Sequence, residues 1–192
     1  SKLCEAPTVV PNVIPGVDTT LPTVGPASDF MMVADLVDKT KNVSGALRAL
    51  QIARSKGHDL RLTVIGDGTD REMLHALALS LGISKNVIWL GRLPNREVLQ
   101  HMATTGSVII NSNVETFSVV TGEALALGKP VIATRCGGPE AFIVPENGVL
   151  IAPQDDAGLS EAMIAMATHH ATYSPAQVRE TETQKAIAAA EQ

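Results

Sequence analysis

SVIINSNVETFSVVTGEALALGKPVIAT, residues 107–134, sets two short apolar runs, SVIIN (107–111) and PVIAT (130–134), either side of a longer segment. Each run is continuously apolar rather than alternating, which suits a strand covered on both faces of a parallel sheet. Between them, SVVTGEALALG reads as a helix that starts near Phe117 or Ser118 and stops at Gly128. Strand, helix, strand is the parallel crossover unit. Two carboxylates interrupt its apolar texture. Glu115 lies in the approach loop, and Glu123 is the only ionisable group of the helix.

The same alternation runs outward from this stretch. Further apolar runs occur at FMMVA (30–34), LRLTVIG (60–66), NVIWLG (86–91) and GVLI (148–151). NVSGALRALQIARSKG (42–57) reads as a helix closed by Gly57. TDREMLHALALSLG (69–82) reads as a second helix, opened by Thr69 and Glu72 at capping-box spacing and closed by Gly82. The pattern predicts an α/β fold with a Rossmann-like, doubly wound parallel sheet. Before residue 29 the texture differs. Pro7, Pro11, Pro15, Pro22 and Pro26 leave no room for helices, so residues 1–28 read as a linker or inter-domain crossover. Residues 29–172 form the folded domain, and 173–192 read as a C-terminal helix with few large apolar anchors.

Composition narrows the function classes. At 192 residues and 45% hydrophobic content the chain can bury one core. Its net charge of −5 offers no basic field for nucleic acid or an anionic membrane. No apolar run approaches the roughly 20 residues that span a bilayer, and SKLCEAPTVV lacks a signal-peptide pattern. Cys4 and Cys136 match no metal spacing and read as reduced thiols in a cytoplasmic protein.

Ligands of open parallel sheets sit beyond the carboxyl ends of the strands. Here those ends carry Asp35 to Lys41, Gly66-Asp67-Gly68, Gly91-Arg92, Asn111 to Glu115 and Arg135 to Gly138. Two phosphate motifs are excluded. GDGTDR puts Arg71 where the dinucleotide fingerprint requires its third glycine, and GEALALGKP has the wrong P-loop spacing, with Pro130 in place of Ser or Thr. What remains is the start of the greasy helix. Its first free amides, about residues 117–120, and its dipole make an anion site. Helical side chains lean toward the N-terminus, so Glu123 tilts back toward that site. Eight helical positions span about 12 Å, a length suited to a ligand with hydroxyls at both ends and negative charge between. Spacing alone leaves a bland alternative open, in which Glu115 caps the helix and Glu123 meets a buried Arg or Lys.

The ordered set E-T-F-S-V-V-T-G-E (115–123), A-L-A-L-G-K-P-V-I-A-T (124–134) and G-G-P-E (137–140) resembles the family 4, or group 1, glycosyltransferases of the GT-B fold, including their E-x7-E signature. The likeness reaches VIGDG (64–68), IWLGRL (88–93), the lysine of DKTKNV (38–43), NGVLI (147–151) and VVPNVIPGVD in the leader. It covers about residues 9 to 175. The resemblance implies the C-terminal, nucleotide-sugar-binding half of a retaining glycosyltransferase, with the acceptor-holding N-terminal half absent from this chain. It implies that Glu123 holds the ribose hydroxyls, Glu115 addresses the donor sugar, and the amides of Phe117, Ser118, Val119 and Val120 hold sugar hydroxyls and diphosphate. Lys41 would neutralise the diphosphate, Gly91, Arg92 and Leu93 would border the base, and Gly66 and Gly68 would line the cleft. The implied partner is a nucleoside diphosphate sugar, with a hexosyl unit passing to a glycan or lipid-linked saccharide. No cofactor and no metal are expected, since the sequence has no D-x-D triplet. The absent half leaves room for peripheral contact with the inner face of a membrane.

Two departures stand out. Where the family usually has an arginine after its first strand, this chain has Asp35, with Lys39, Lys41 and Arg92 as the nearby cations. Ser118 replaces a common glycine, a change expected to be mild because Ser starts helices well. The missing arginine motivates an alternative: a non-catalytic nucleotide-sugar binding or assembly module of GT-B fold. A related epimerase or phosphorylase is a further reading. Among other residues, Cys136 lacks a neighbouring base, His75, His101, His169 and His170 read as surface groups, and Trp89 as core. Asn111, Ser112 and Arg135 read as strand-end polar groups.

Overall fold

A computed structural model of the chain describes Val17 and residues 25–181. The remainder of the leader and residues 182–192 lie outside the described residues, and with them most of the expected linker and the end of the expected terminal helix. Residues 175–181 are helical.

Six strands form one parallel sheet: β1 (Asp29–Val33), β2 (Arg61–Ile65), β3 (Val87–Gly91), β4 (Ser107–Ile110), β5 (Val131–Thr134) and β6 (Gly148–Ile151). Each falls on one of the apolar runs. The order across the sheet is β3-β2-β1-β4-β5-β6, the arrangement of a doubly wound nucleotide-binding sheet. It reverses direction between β1 and β4. Strand alternation divides the apolar side chains between two cores. Phe30, Met32, Leu62, Val64, Ile109 and Ile132 meet the layer of α2 (Val43–Ser55), α3 (Arg71–Ser80) and α6 (Asp156–Thr168). Met31, Ile65, Val108, Ile110, Val131 and Ala133 meet α4 (Asn95–Thr104) and α5 (Val119–Ala126). Helices therefore cover both faces, which is why the strands carry no polar alternation. Full burial of each large side chain in these cores contributes about 1.5–3 kcal/mol.

Helix ends follow the sequence in part. Gly57 and Gly82 adopt φ of 91° and 71° just past α2 and α3, where a left-handed residue stops the helix. Asp155 caps α6 by accepting a hydrogen bond from the Gly158 amide. The capping box expected from Thr69 and Glu72 is not formed. Asp70 holds the N-cap position of α3 without a side-chain cap, because its carboxylate accepts the Asp38 amide at 2.7 Å instead. A contact between two strand-end loops thus outcompetes a local cap. His75, expected at the surface, is half-buried and stacks on Trp89 with ring centroids 4.3 Å apart. Trp89 itself packs on the first core but stays partly exposed.

Candidate functional site

At the point where strand order reverses, the loops leaving β1 and β4 diverge and open a crevice. The loop after β1 holds the one-turn helix α1 (Asp38–Lys41), followed by Asn42 at φ 47°. This turn is fastened on both sides. Asp38 accepts hydrogen bonds from the Ser44 amide and hydroxyl at 2.7 and 2.6 Å. Asn113, in the loop after β4, donates from its amide nitrogen to the Thr40 carbonyl and from its side chain to that of Lys39. Buried Asn111 donates to the Asn42 carbonyl at 2.9 Å. Lys41 therefore projects from a fixed backbone.

Across the crevice, Glu115 is fixed just as firmly. Its amide donates to the Cys136 carbonyl, and its own carbonyl accepts the Gly138 amide. A Cβ at Gly137 would stand 2.6 Å from the Glu115 carbonyl oxygen, and one at Gly138 would stand 2.6 Å from the Phe117 backbone. The Gly137-Gly138 pair exists to let these backbones touch. Lys41 Nζ reaches Glu115 Oε2 at 2.7 Å, and Ser112 donates to the same oxygen at 3.2 Å. Both charged side chains are partly shielded from water, so the pair is stronger than a surface ion pair.

Beyond Glu115 the chain turns into α5. Ser118 sits at φ 68°, and its hydroxyl pairs with that of Thr121 at 2.7 Å, not with a backbone amide. This corrects the view of Ser118 as an ordinary helix starter. It occupies a left-handed conformation that favours glycine. The turn leaves the amides of Phe117, Ser118, Val119 and Val120 without backbone partners among the described residues. With the helix behind them, they concentrate positive potential at the crevice.

Two adjoining cavities fill this region, of about 260 and about 290 Å³. The first is lined by Lys41, Ser112, Glu115 and residues 116–120. The second is lined by Asp35, Lys41, Gly66, Arg92, Leu93 and Val120, among others. Val33, Ala34, Lys41 and Val120 belong to both, so they form one elongated cleft. Its ends are polar and its waist carries Lys41.

Of the residues singled out in the sequence, Lys41, Glu115, Phe117, Ser118, Val119, Val120, Gly66, Arg92 and Leu93 line the cleft. Gly68 does not. A Cβ there would press on the Leu36 backbone at 2.6 Å, so that glycine serves packing between the β1 and β2 loops. Gly91 ends β3 and accepts the Gly66 amide on its carbonyl. Arg92, considered as a stand-in for the missing arginine, is held by Asp35 at 3.3 Å on the exposed rim. Arg135 is exposed, and Cys136 is a half-buried thiol that burial pushes up, away from the reactive thiolate. Among the described residues no cluster of His, Cys, Asp or Glu could hold a metal ion, and no helix is long and apolar enough to cross a membrane.

Glu123 is buried within α5, one turn behind Val120. Its partner is neither Arg nor Lys. Asn95, the first residue of α4, donates its side-chain amide to Glu123 Oε1 at 2.7 Å. Sequence reasoning missed Asn95. A lone Asn at a helix start looks like a cap, and nothing local reveals that its side chain crosses to another helix.

The family model for group 1 glycosyl transferases matches residues 25–181. A glycogen synthase of Mycobacterium tuberculosis is 31% identical over 143 residues, covering 74% of this chain and 34% of that protein. The lipopolysaccharide 1,6-galactosyltransferase of Escherichia coli is 32% identical over 142 residues, covering 71% of this chain and 39% of that protein. The structure of the lipopolysaccharide outer core galactosyltransferase WaaB superimposes with a TM-score of 0.79 at 25% identity, covering 94% of this chain and 54% of that one. HepE of Anabaena, solved with UDP, shares the fold with a TM-score of 0.72 at 22% identity, over 85% of this chain and 46% of that one. The chain thus spans little more than a third of the length of these curated relatives. With the family model matched along nearly the whole described region, the chain belongs to the group 1 glycosyl transferases.

Proposed function

We propose that this chain binds a nucleoside diphosphate sugar and forms the donor half of a retaining glycosyltransferase. The observation that carries the proposal is the single cleft at the strand reversal, lined by Lys41 and by Phe117 to Val120, whose amides have no backbone partners among the described residues. A diphosphate at that waist would meet a lysine and a helix terminus, both prepositioned. As the bond from the sugar carbon to the leaving phosphate breaks, charge grows on the phosphate oxygens, and fixed donors stabilise it without reorganising. In this reading Glu115 exchanges its partner, releasing Lys41 to the diphosphate and accepting a hydroxyl of the sugar. Glu123, at the far side of Val120, takes the ribose. Arg92 and Leu93 border the base. No metal or cofactor is assigned a role.

The names of the relatives, a glycogen synthase and lipopolysaccharide galactosyltransferases, support a hexosyl donor and a glycan or lipid-linked saccharide as acceptor. UDP and sugar in structures of the same fold support the class of donor. The acceptor would sit on an N-terminal half outside this chain, so the 192-residue chain binds donor but does not transfer it. A thermal-shift panel with UDP, GDP and ADP tests the reading. At millimolar nucleotide at least one raises Tm, because a ligand at 100 times its Kd adds about 2.7 kcal/mol of stability. No shift with any of the three rejects it.

One observation favours a second reading, a binding module without transfer. Asp35 stands where the family's arginine is expected and also neutralises Arg92. Joining the chain to its cognate N-terminal half and assaying sugar transfer decides between them.

A further inference from the structure

We propose that Asn95 is a positioning residue that sets the carboxylate of Glu123 for a vicinal diol. The inference rests on the donor-binding reading above and goes beyond it in naming how the ribose end of the cleft is held. Glu123 is 7% exposed, on a helix whose other inward residues are apolar or small. A carboxylate so buried must be hydrogen-bonded. Its one partner among the described residues is Asn95, at 2.7 Å on Oε1. The donor must be the amide NH2, since an ionised carboxylate only accepts. The second oxygen, Oε2, has no donor among the described residues, yet it is not among their buried polar atoms left without partners. Among the described residues it is thus left open to a donor, on a side chain otherwise enclosed.

The location agrees with that role. Neither Asn95 nor Glu123 lines either cavity itself; they follow Leu93 and Val120, which line the second cavity, by two and three positions. Asn95 opens α4, so the positive end of that helix also faces the carboxylate. One oxygen is thus committed to the scaffold and the other is left for a ligand. Rotation about the last side-chain bond is fixed by the amide, so a hydroxyl donor meets an oriented acceptor.

The test uses the 192-residue chain and isothermal titration with UDP, GDP and ADP, then with the 2′-deoxy form of whichever binds best. Unaltered protein should prefer the ribose form by about tenfold, the ratio equivalent to about 1.4 kcal/mol. In Asn95→Ala that preference should fall below about threefold, while the affinity for the 2′-deoxy form changes little. Asn95→Asp, nearly the same shape but a like charge beside Glu123, should remove the preference as well. Asn95→Gln, which keeps the amide, should restore part of it. If Asn95→Ala weakens both nucleotides equally, Asn95 is merely structural and the inference falls while donor binding stands. If the unaltered chain binds none of the nucleotides, both fall together.

Discussion

Lys41 and Glu115, separated by 74 positions in the chain, form a 2.7 Å ion pair across the mouth of the cleft. The cleft's lysine and the first glutamate of the E-x7-E pair are each other's counter-ions in this structure. The pair keeps both side chains extended into the crevice, where an unpaired charge would be costly to hold. It also makes Glu115 a competitor for any anion that needs Lys41.

That competition gives opposite signs to two substitutions. Glu115→Gln keeps shape and removes the competing charge, so UDP, which lacks the sugar, should bind severalfold more tightly. Lys41→Ala should weaken UDP by about ten- to a hundredfold, the loss of a hydrogen bond to a charged group. Isothermal titration at fixed ionic strength reads both. Equal weakening by the two variants would contradict the exchange of partners. In a chain joined to its acceptor half, Glu115→Gln should lower kcat despite the tighter nucleotide.

The glycines of the rim separate by their surroundings. At Gly66, φ is 137° and a Cβ would overlap the Ala34 carbonyl oxygen. Gly66→Ala should cost more than about 4 kcal/mol, the range reserved for severe backbone clashes. Gly91, at φ 68°, has nothing near its missing Cβ. Gly91→Ala should therefore cost only the left-handed strain of about 1–2 kcal/mol. Urea unfolding midpoints of the two variants would show the contrast.

Lys129, just past the end of α5, is 2% exposed and donates to the Thr105 carbonyl at 2.8 Å. Burial, with the charge of Arg179, pushes its amine down to about 8. The unfolded chain keeps the proton up to the ordinary lysine value of 10.5. Between about pH 8 and 10.5 the unfolded state thus binds more protons, and stability from this group rises with pH. Cys136 and Tyr173, both raised by burial, act in the opposite direction. Comparing the chain with Lys129→Met isolates the lysine. From pH 7.5 to 9.5 the unaltered protein should gain stability relative to the variant, measured by urea unfolding at each pH. A difference that stays flat across the interval would contradict it.

The strands were legible because parallel-sheet burial leaves continuous apolar runs, and all six lie where such runs occur. The helix ends at Gly57 and Gly82 were legible too, because a left-handed residue past a helix favours glycine over every other side chain. Thr69 and Glu72 misled, since capping-box spacing says nothing of a competing amide 32 positions away at Asp38. Ser118 misled for a related reason. Its residue type suits an N-cap, but its φ is imposed by the turn that brings Glu115 against Gly137 and Gly138. Asp35 and Arg92 could be noticed as rim charges, but their pairing could not.

The sequence by itself determined the sheet, the helical layers and the short list of polar groups gathered at one rim. Those follow from local patterning: which side chains avoid water, and which residue types end a strand or a helix. Only tertiary structure decided the pairings within that list. Lys41 with Glu115, Arg92 with Asp35 and Asn95 with Glu123 join residues 74, 57 and 28 positions apart. Partners so distant are chosen by strand order and by the directions in which loops leave the sheet, and no periodicity along the chain encodes either.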